Sequence, residues 1–260
     1  YNQIVMEDEA EQAQEYKSEY RGRVQNRQVK EQYQPYLALT MGGVGTTVST
    51  VSLFDAEVEK FRVKVSPLVK RYSLSLPVLG VVGEGTGIPT NDVVDATTEA
   101  MHKTKDATEA ANLLMTRSVA YSSSQNYQEA RKDIDDYLQM DSTSYIALWQ
   151  RTVCAAMTAE YEKGLTPQEM ELRKAGVASD FAELHRRDAG NAYVLYCHGT
   201  FCARMKDYDK AVVLLTQAID IDTRLSYAYY NRGLAYLAMG KVAQAKADFS
   251  KAGELGLYTA

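Results

Sequence analysis

Two rhythms of apolar and polar positions divide this chain. From about residue 105 to the end, apolar residues recur every three to four positions in stretches broken by short polar turns. That period predicts amphipathic helices stacked as antiparallel neighbours. Between Gly22 and Gly83 the period is two: Tyr33, Leu37 and Leu39, then Phe61, Val63 and Val65, then Tyr72, Leu74, Leu76 and Val78 alternate with polar neighbours. Alternation of that kind predicts strands with one buried face. A glycine-rich loop follows at Met41-Gly42-Gly43-Val44-Gly45-Thr46-Thr47, and Ser66-Pro67 reads as a turn or bulge. Residues 22–88 are therefore expected to form a small antiparallel β segment of about three to five strands. Before it, residues 1–21 are acidic and glutamine-rich, with Glu7, Asp8, Glu9, Glu11 and Glu15 close together, and read as a solvated helix or flexible lead-in. After it, Gly83, Gly85 and Gly87 lead through Pro89 to Thr90, the N-cap of a connecting helix within residues 89–105.

The helical part repeats itself. Ser226-Tyr227-Ala228-Tyr229-Tyr230-Asn231-Arg232-Gly233 echoes Ala192-Tyr193-Val194-Leu195-Tyr196-Cys197-His198-Gly199 at a shift of 34 residues, and Ala211, Leu215 and Ala218 pair with Ala245, Phe249 and Ala252 at the same shift. Each unit is two helices and a fixed turn. Two helices approach closely only where side chains are small, so Gly233 facing Ala245, flanked by Tyr236 and Phe249, sets the angle of the hairpin. Leu114, Ser118, Tyr121, Ala130, Ile134 and Tyr137 fill the same places in an earlier unit. Between them, a unit beginning at Leu148, Thr152 and Ala155 carries 13 additional residues before its successor, with Val177 where alanine is wanted. Within that insertion Thr166, Pro167 and Glu169 form a helix-start signature, a capping box with proline at N1.

With Tyr229, Gly233, Tyr236, Ala245, Phe249 and Ala252 in these places, the chain resembles the tetratricopeptide repeat (TPR) family. The resemblance implies a mainly α fold: a TPR-type α-solenoid of antiparallel helix pairs over residues 106–260, four hairpins with the second one lengthened, preceded by the small β-rich N-terminal segment. It also implies a binding surface, because such arrays hold ligands on the concave face made by successive first helices. Carrying the family's groove positions over one at a time gives Met115 and Val119 in the first unit and Ile146, Trp149 and Val153 in the second. The third unit gives Tyr193, Tyr196 and Arg204, and the fourth gives Tyr227, Tyr230 and Leu234. That face is aromatic with few charges, which suits an extended or helical peptide with apolar anchors. Lysines that grip a C-terminal carboxylate in some family members have no match here. The expected function is a protein-protein interaction scaffold. The alternative is an architectural component of a cell-envelope assembly, its groove filled by the chain's own strand region or by a second copy of the chain. The layout resembles the interior of long bacterial repeat proteins, which implies export to the cell envelope or periplasm, and a first residue Tyr1 reads as a piece of a longer protein.

Composition narrows the classes further. A net charge of -5 offers no electrostatic pull toward nucleic acid, and no run approaches the roughly 20 apolar residues of a membrane span. Nineteen tyrosines are the one excess, and they supply rings either to a core or to a binding face. Cys154, Cys197 and Cys202 match no zinc or redox spacing. Gly83, Gly85 and Gly87 precede a helix, but Ile88 breaks the dinucleotide fingerprint, and no Lys-Ser or Lys-Thr follows Gly45. His198 beside Cys197 does not make a nucleophile pair, since neighbours on one helix point about 100° apart. Asp133, Asp135 and Asp136 read as a solvated helix face. No catalytic constellation, cofactor or metal is expected, so the chain reads as a non-enzyme.

Overall fold

The computed structural model describes Tyr33 and residues 36–41, 79–82 and 90–257. Among them run two strands, β1 (Ala38–Met41) and β2 (Leu79–Val82), and a succession of helices: α1 (Thr90–Lys103), α2 (Ala107–Ser123), α3 (Tyr127–Met140), α4 (Tyr145–Tyr161), α5 (Pro167–Arg187), α6 (Ala192–Arg204), α7 (Tyr208–Ile221), α8 (Ser226–Ala238) and α9 (Val242–Glu254). Their starts follow local chemistry. Asp106, Ser144 and Asp207 each accept a hydrogen bond from the backbone N–H three residues on, satisfying one orphan donor of the helix they precede. Thr166 and Glu169 close the full reciprocal capping box in front of α5, with Pro167 at its first position.

Helices pair as α2–α3, α4–α5, α6–α7 and α8–α9, while the first helices also touch one another in series, α2 to α4 to α6 to α8. The first helices thus form an inner layer. The hairpin crossings rest on small residues. A Cβ added at Gly199 would stand 2.8 Å from Leu215 Cγ, and one at Gly233 would stand 2.8 Å from Phe249 Cε1, so neither site has room for a side chain. Ser118 and Thr152 hold the same place in the earlier units and turn their hydroxyls onto their own helix, donating to Met115 O and Leu148 O. In the lengthened unit Val177, Phe181 and Leu184 take the inward positions and are buried. One apolar core runs from Val93 on α1 to Ala228 on α8.

The β-rich segment is not supported. Among the described residues the strands amount to one antiparallel pair, with Ala38 opposite Val82 and Met41 opposite Leu79. Tyr33, Tyr36 and Leu37 are buried, but against helices: Tyr36 and Leu37 join the solenoid core, and Tyr33 packs with Cys202, Ala203 and Ala211. Period-two alternation reports that one face is covered without reporting by what. Residues 1–21, the Gly42–Thr47 and Gly83–Gly87 loops, the runs at Phe61–Val65 and Tyr72–Val78, and Tyr258 lie outside the described residues.

The Asp133 assignment also changes. Asp135 and Asp136 are exposed, but Asp133 is buried and accepts two hydrogen bonds from Arg117, at 2.7 and 2.8 Å. Arg117 also donates to Thr98 on α1. Arg232 repeats the arrangement on Asp248, again at 2.7 and 2.8 Å, with Thr216 on α7 as its third acceptor. These bidentate pairs clamp the two helices of a hairpin and tie them to the helix before.

Candidate functional site

The inner layer carries the positions that the repeat marks as a groove, and they have two fates. Met115, Val119, Ile146, Trp149, Val153, Tyr196 and Arg204 are buried. Tyr193, Tyr227, Tyr230 and Leu234 are half-buried. Part of this burial is helix packing. Asn231 on α8 donates to the Tyr196 hydroxyl at 3.1 Å and to Thr200 at 2.9 Å, so Tyr196 belongs to the joint between two units. Asn231 faces that joint too. Tyr230 lies against the Phe249 ring, 5.5 Å between centroids.

The chain's own N-terminal part adds to that burial. β1 packs on α2 and α4. The Leu37 carbonyl accepts from the Trp149 indole N–H at 2.9 Å and from the Cys197 thiol at 3.5 Å. The Tyr36 ring lies against the Arg204 guanidinium, 4.9 Å from carbon to centroid, with its hydroxyl 3.4 Å from Glu160 Oε2. Arg204 also donates to the Tyr33 carbonyl at 3.1 Å. Tyr33 itself packs in a cluster with Cys202 and Ala203 of α6 and Ala211 of α7. The described residues of this segment therefore meet α6 and α7 at Tyr33 and α4 and α2 at β1.

Beneath the tyrosine, Arg204 and Glu160 form an ion pair whose side chains are 4% and 0% exposed. Burial opposes the charge on Arg204, and the Tyr36 and Glu160 neighbours more than offset it, raising its pKa. Burial, then the Glu160 charge, holds the Tyr36 hydroxyl protonated far above the ordinary tyrosine range. Burial pushes the Cys197 and Cys154 thiols up to about 12, so neither is a nucleophile at neutral pH. Among the described residues no cluster of His, Cys, Asp and Glu could hold a metal ion, and no helix is long and apolar enough to cross a membrane.

Sequence reasoning marked Arg204 and missed Glu160, which sits on the last turn of α4 and has no counterpart in the repeat pattern. A glutamate in an otherwise apolar and small stretch, Val153-Cys154-Ala155-Ala156-Met157-Thr158-Ala159-Glu160, is the signal that was available. On the opposite side, His198 holds the place of Arg232 one repeat earlier and stacks on Phe181, with ring centroids 4.8 Å apart and 9° between planes.

Comparison with known proteins agrees with this architecture. A TPR repeat model matches residues 202–240, and a tetratricopeptide repeat model matches residues 226–255. No curated protein matches the sequence. Among solved structures, MamA (residues 41 to the end) from Desulfovibrio magneticus RS-1 is similar at 14% identity and a TM-score of 0.54, covering 76% of this chain and 94% of that one. A thermophilic TPR protein from Thermus thermophilus is similar at 14% identity and a TM-score of 0.54, covering 65% of this chain and 84% of that one. At such identities the likeness is one of fold.

Proposed function

As the chain is a tetratricopeptide-repeat protein, we propose that it is a protein-protein interaction scaffold whose concave groove is held by its own segment from Tyr33 to Met41 and opens to a protein or peptide partner. TPR folds serve protein-protein interaction in general, and no catalytic role is proposed for this one. One observation carries the finer reading: Trp149, Cys197 and Arg204 all spend donors on backbone carbonyls of the N-terminal segment. Donors aimed at main-chain carbonyls are how a surface holds an extended peptide, with side-chain pockets adding selectivity.

Trp149 is the single tryptophan of the chain and so reports on the segment. Tyr36→Ala together with Leu37→Asp should release the segment, move the Trp149 emission to longer wavelength and leave the helical circular dichroism in place. The released variant should then retain proteins that the unaltered chain does not, and a peptide of residues 31–41 should displace them. Identical protein sets on both baits would overturn the proposal.

A second reading has support in the buried Arg204–Glu160 pair. Here the segment is a permanent part of the core and the protein is architectural, its outer surfaces making the contacts. That reading expects the Tyr36→Ala, Leu37→Asp variant to unfold.

A further inference from the structure

We infer that Trp149, Glu160 and Arg204 form a socket selective for a tyrosine in an extended segment, and that the partner admitted to the groove presents this tyrosine. The inference rests on the exchangeable groove proposed above and adds the chemistry of its occupant.

The socket is defined by what it does to Tyr36 and Leu37. Arg204 covers the ring face, where a guanidinium is attracted by the negative face of the aromatic system. Glu160 lies where the ring ends, 3.4 Å from the hydroxyl. A phenylalanine keeps the first contact and loses the second, a hydrogen bond made in a buried place. A phosphorylated or acidic side chain would set like charge against Glu160. The next residue is fixed by its backbone, because the Leu37 carbonyl takes one donor from α4 and one from α6. Reading that carbonyl sets the register, so the tyrosine cannot slide along the groove without losing both donors.

Departure of the segment is physically accessible because the two charges in the floor belong to each other. Arg204 and Glu160 are paired across α6 and α4 independently of Tyr36. A vacated socket therefore exposes a salt bridge, and leaves no lone buried charge of the kind that would lock the segment in place.

The test uses the full chain carrying Tyr36→Ala and Leu37→Asp, and two fluorescently labelled peptides, one of residues 31–41 and one the same with Tyr36→Phe. The tyrosine peptide should bind at least tenfold tighter than the phenylalanine peptide by anisotropy. Adding Glu160→Gln to the chain should shrink that ratio below threefold. Equal affinities for the two peptides would overturn the socket and leave the exchangeable groove intact. Binding of neither peptide to a folded variant would overturn both. A double variant that does not fold would show that the segment is a permanent part of the core and would overturn the socket together with the exchangeable groove.

Discussion

The third and fourth units, α6–α7 and α8–α9, are two copies of one 34-residue pattern, and they share an interior while differing at positions on either side of it. Inside, Gly199 and Gly233 meet Leu215 and Phe249 at the same close approach, and Ala211 and Ala218 answer to Ala245 and Ala252, all buried. Outside, Arg204 is buried under Tyr36 whereas Ala238, at the equivalent place, is exposed. On the far side His198 lies flat on Phe181, where Arg232 clamps Asp248. The hairpin geometry depends on a few small residues that the repeat preserves. The remaining positions are free to follow whatever neighbour each unit acquires.

The largest expected difference lies on the groove side. Arg204→Ala removes one partner of a buried ion pair and leaves Glu160 charged inside the core, a change that costs about 3–5 kcal/mol. Tyr230→Ala removes a half-buried ring and should cost about 1 kcal/mol. Urea unfolding of the two variants measures the contrast. Comparable losses would mean that the segment over Arg204 does not seal the pair from water.

The second contrast is one of pH. Burial first, then the charges of Lys210 and His185, hold His198 down to about 4 against a small opposing effect of Asp207. Its folded pKa lies below its unfolded one, so the unfolded chain binds the additional proton and stability rises with pH. From His198 alone, the protein should lose about 3 kcal/mol as pH falls from about 6.5 to about 4. Arg232 holds its charge throughout and contributes no such slope. The His198→Gln variant should show a flatter stability profile across that window. An unchanged slope would place the acid sensitivity elsewhere.

These contrasts also show what was legible in the sequence. The repeat was, because Gly233, Ala245, Phe249 and Ala252 are demanded by close approach and that demand recurs every 34 residues. The covering of the groove was not. Tyr33 and Leu37 alternate in the same way whether a strand or a helix layer receives them, and a distance in sequence of more than a hundred residues separates Leu37 from Trp149. The clamps were legible and went unread. Arg117, Arg151 and Arg232 occupy one position of the repeat. The partners of Arg117 and Arg232 stand 16 residues on, while that of Arg151, Asp180, stands 29 on, longer by the 13-residue insertion. Asp133 looked like part of a solvated face because its neighbours Asp135 and Asp136 are one.

The smallest expected difference lies in the hairpin turns, where the two units disagree on one residue. Lys206 and Gly240 hold the same place and both have left-handed backbone, at φ of 67° and 75°, as does Gln125 at 63° in the first unit. Each turn closes with the same bond, from the N–H of the residue after it to the carbonyl four positions before it, as in Asp207 to Cys202 and Lys241 to Tyr236. The conformation is therefore imposed by the hairpin, whatever residue stands there. A side chain with a Cβ pays about 1–2 kcal/mol for it, which glycine avoids at the expense of greater freedom in the unfolded chain. Lys206→Gly should accordingly stabilise the protein by about 0.5–1 kcal/mol, and Gly240→Lys should destabilise it by a similar amount. Thermal unfolding of the pair reads the sign directly. If both substitutions move the midpoint the same way, the turn in one unit is held by contacts beyond its backbone, and the equivalence of the two copies ends at that residue.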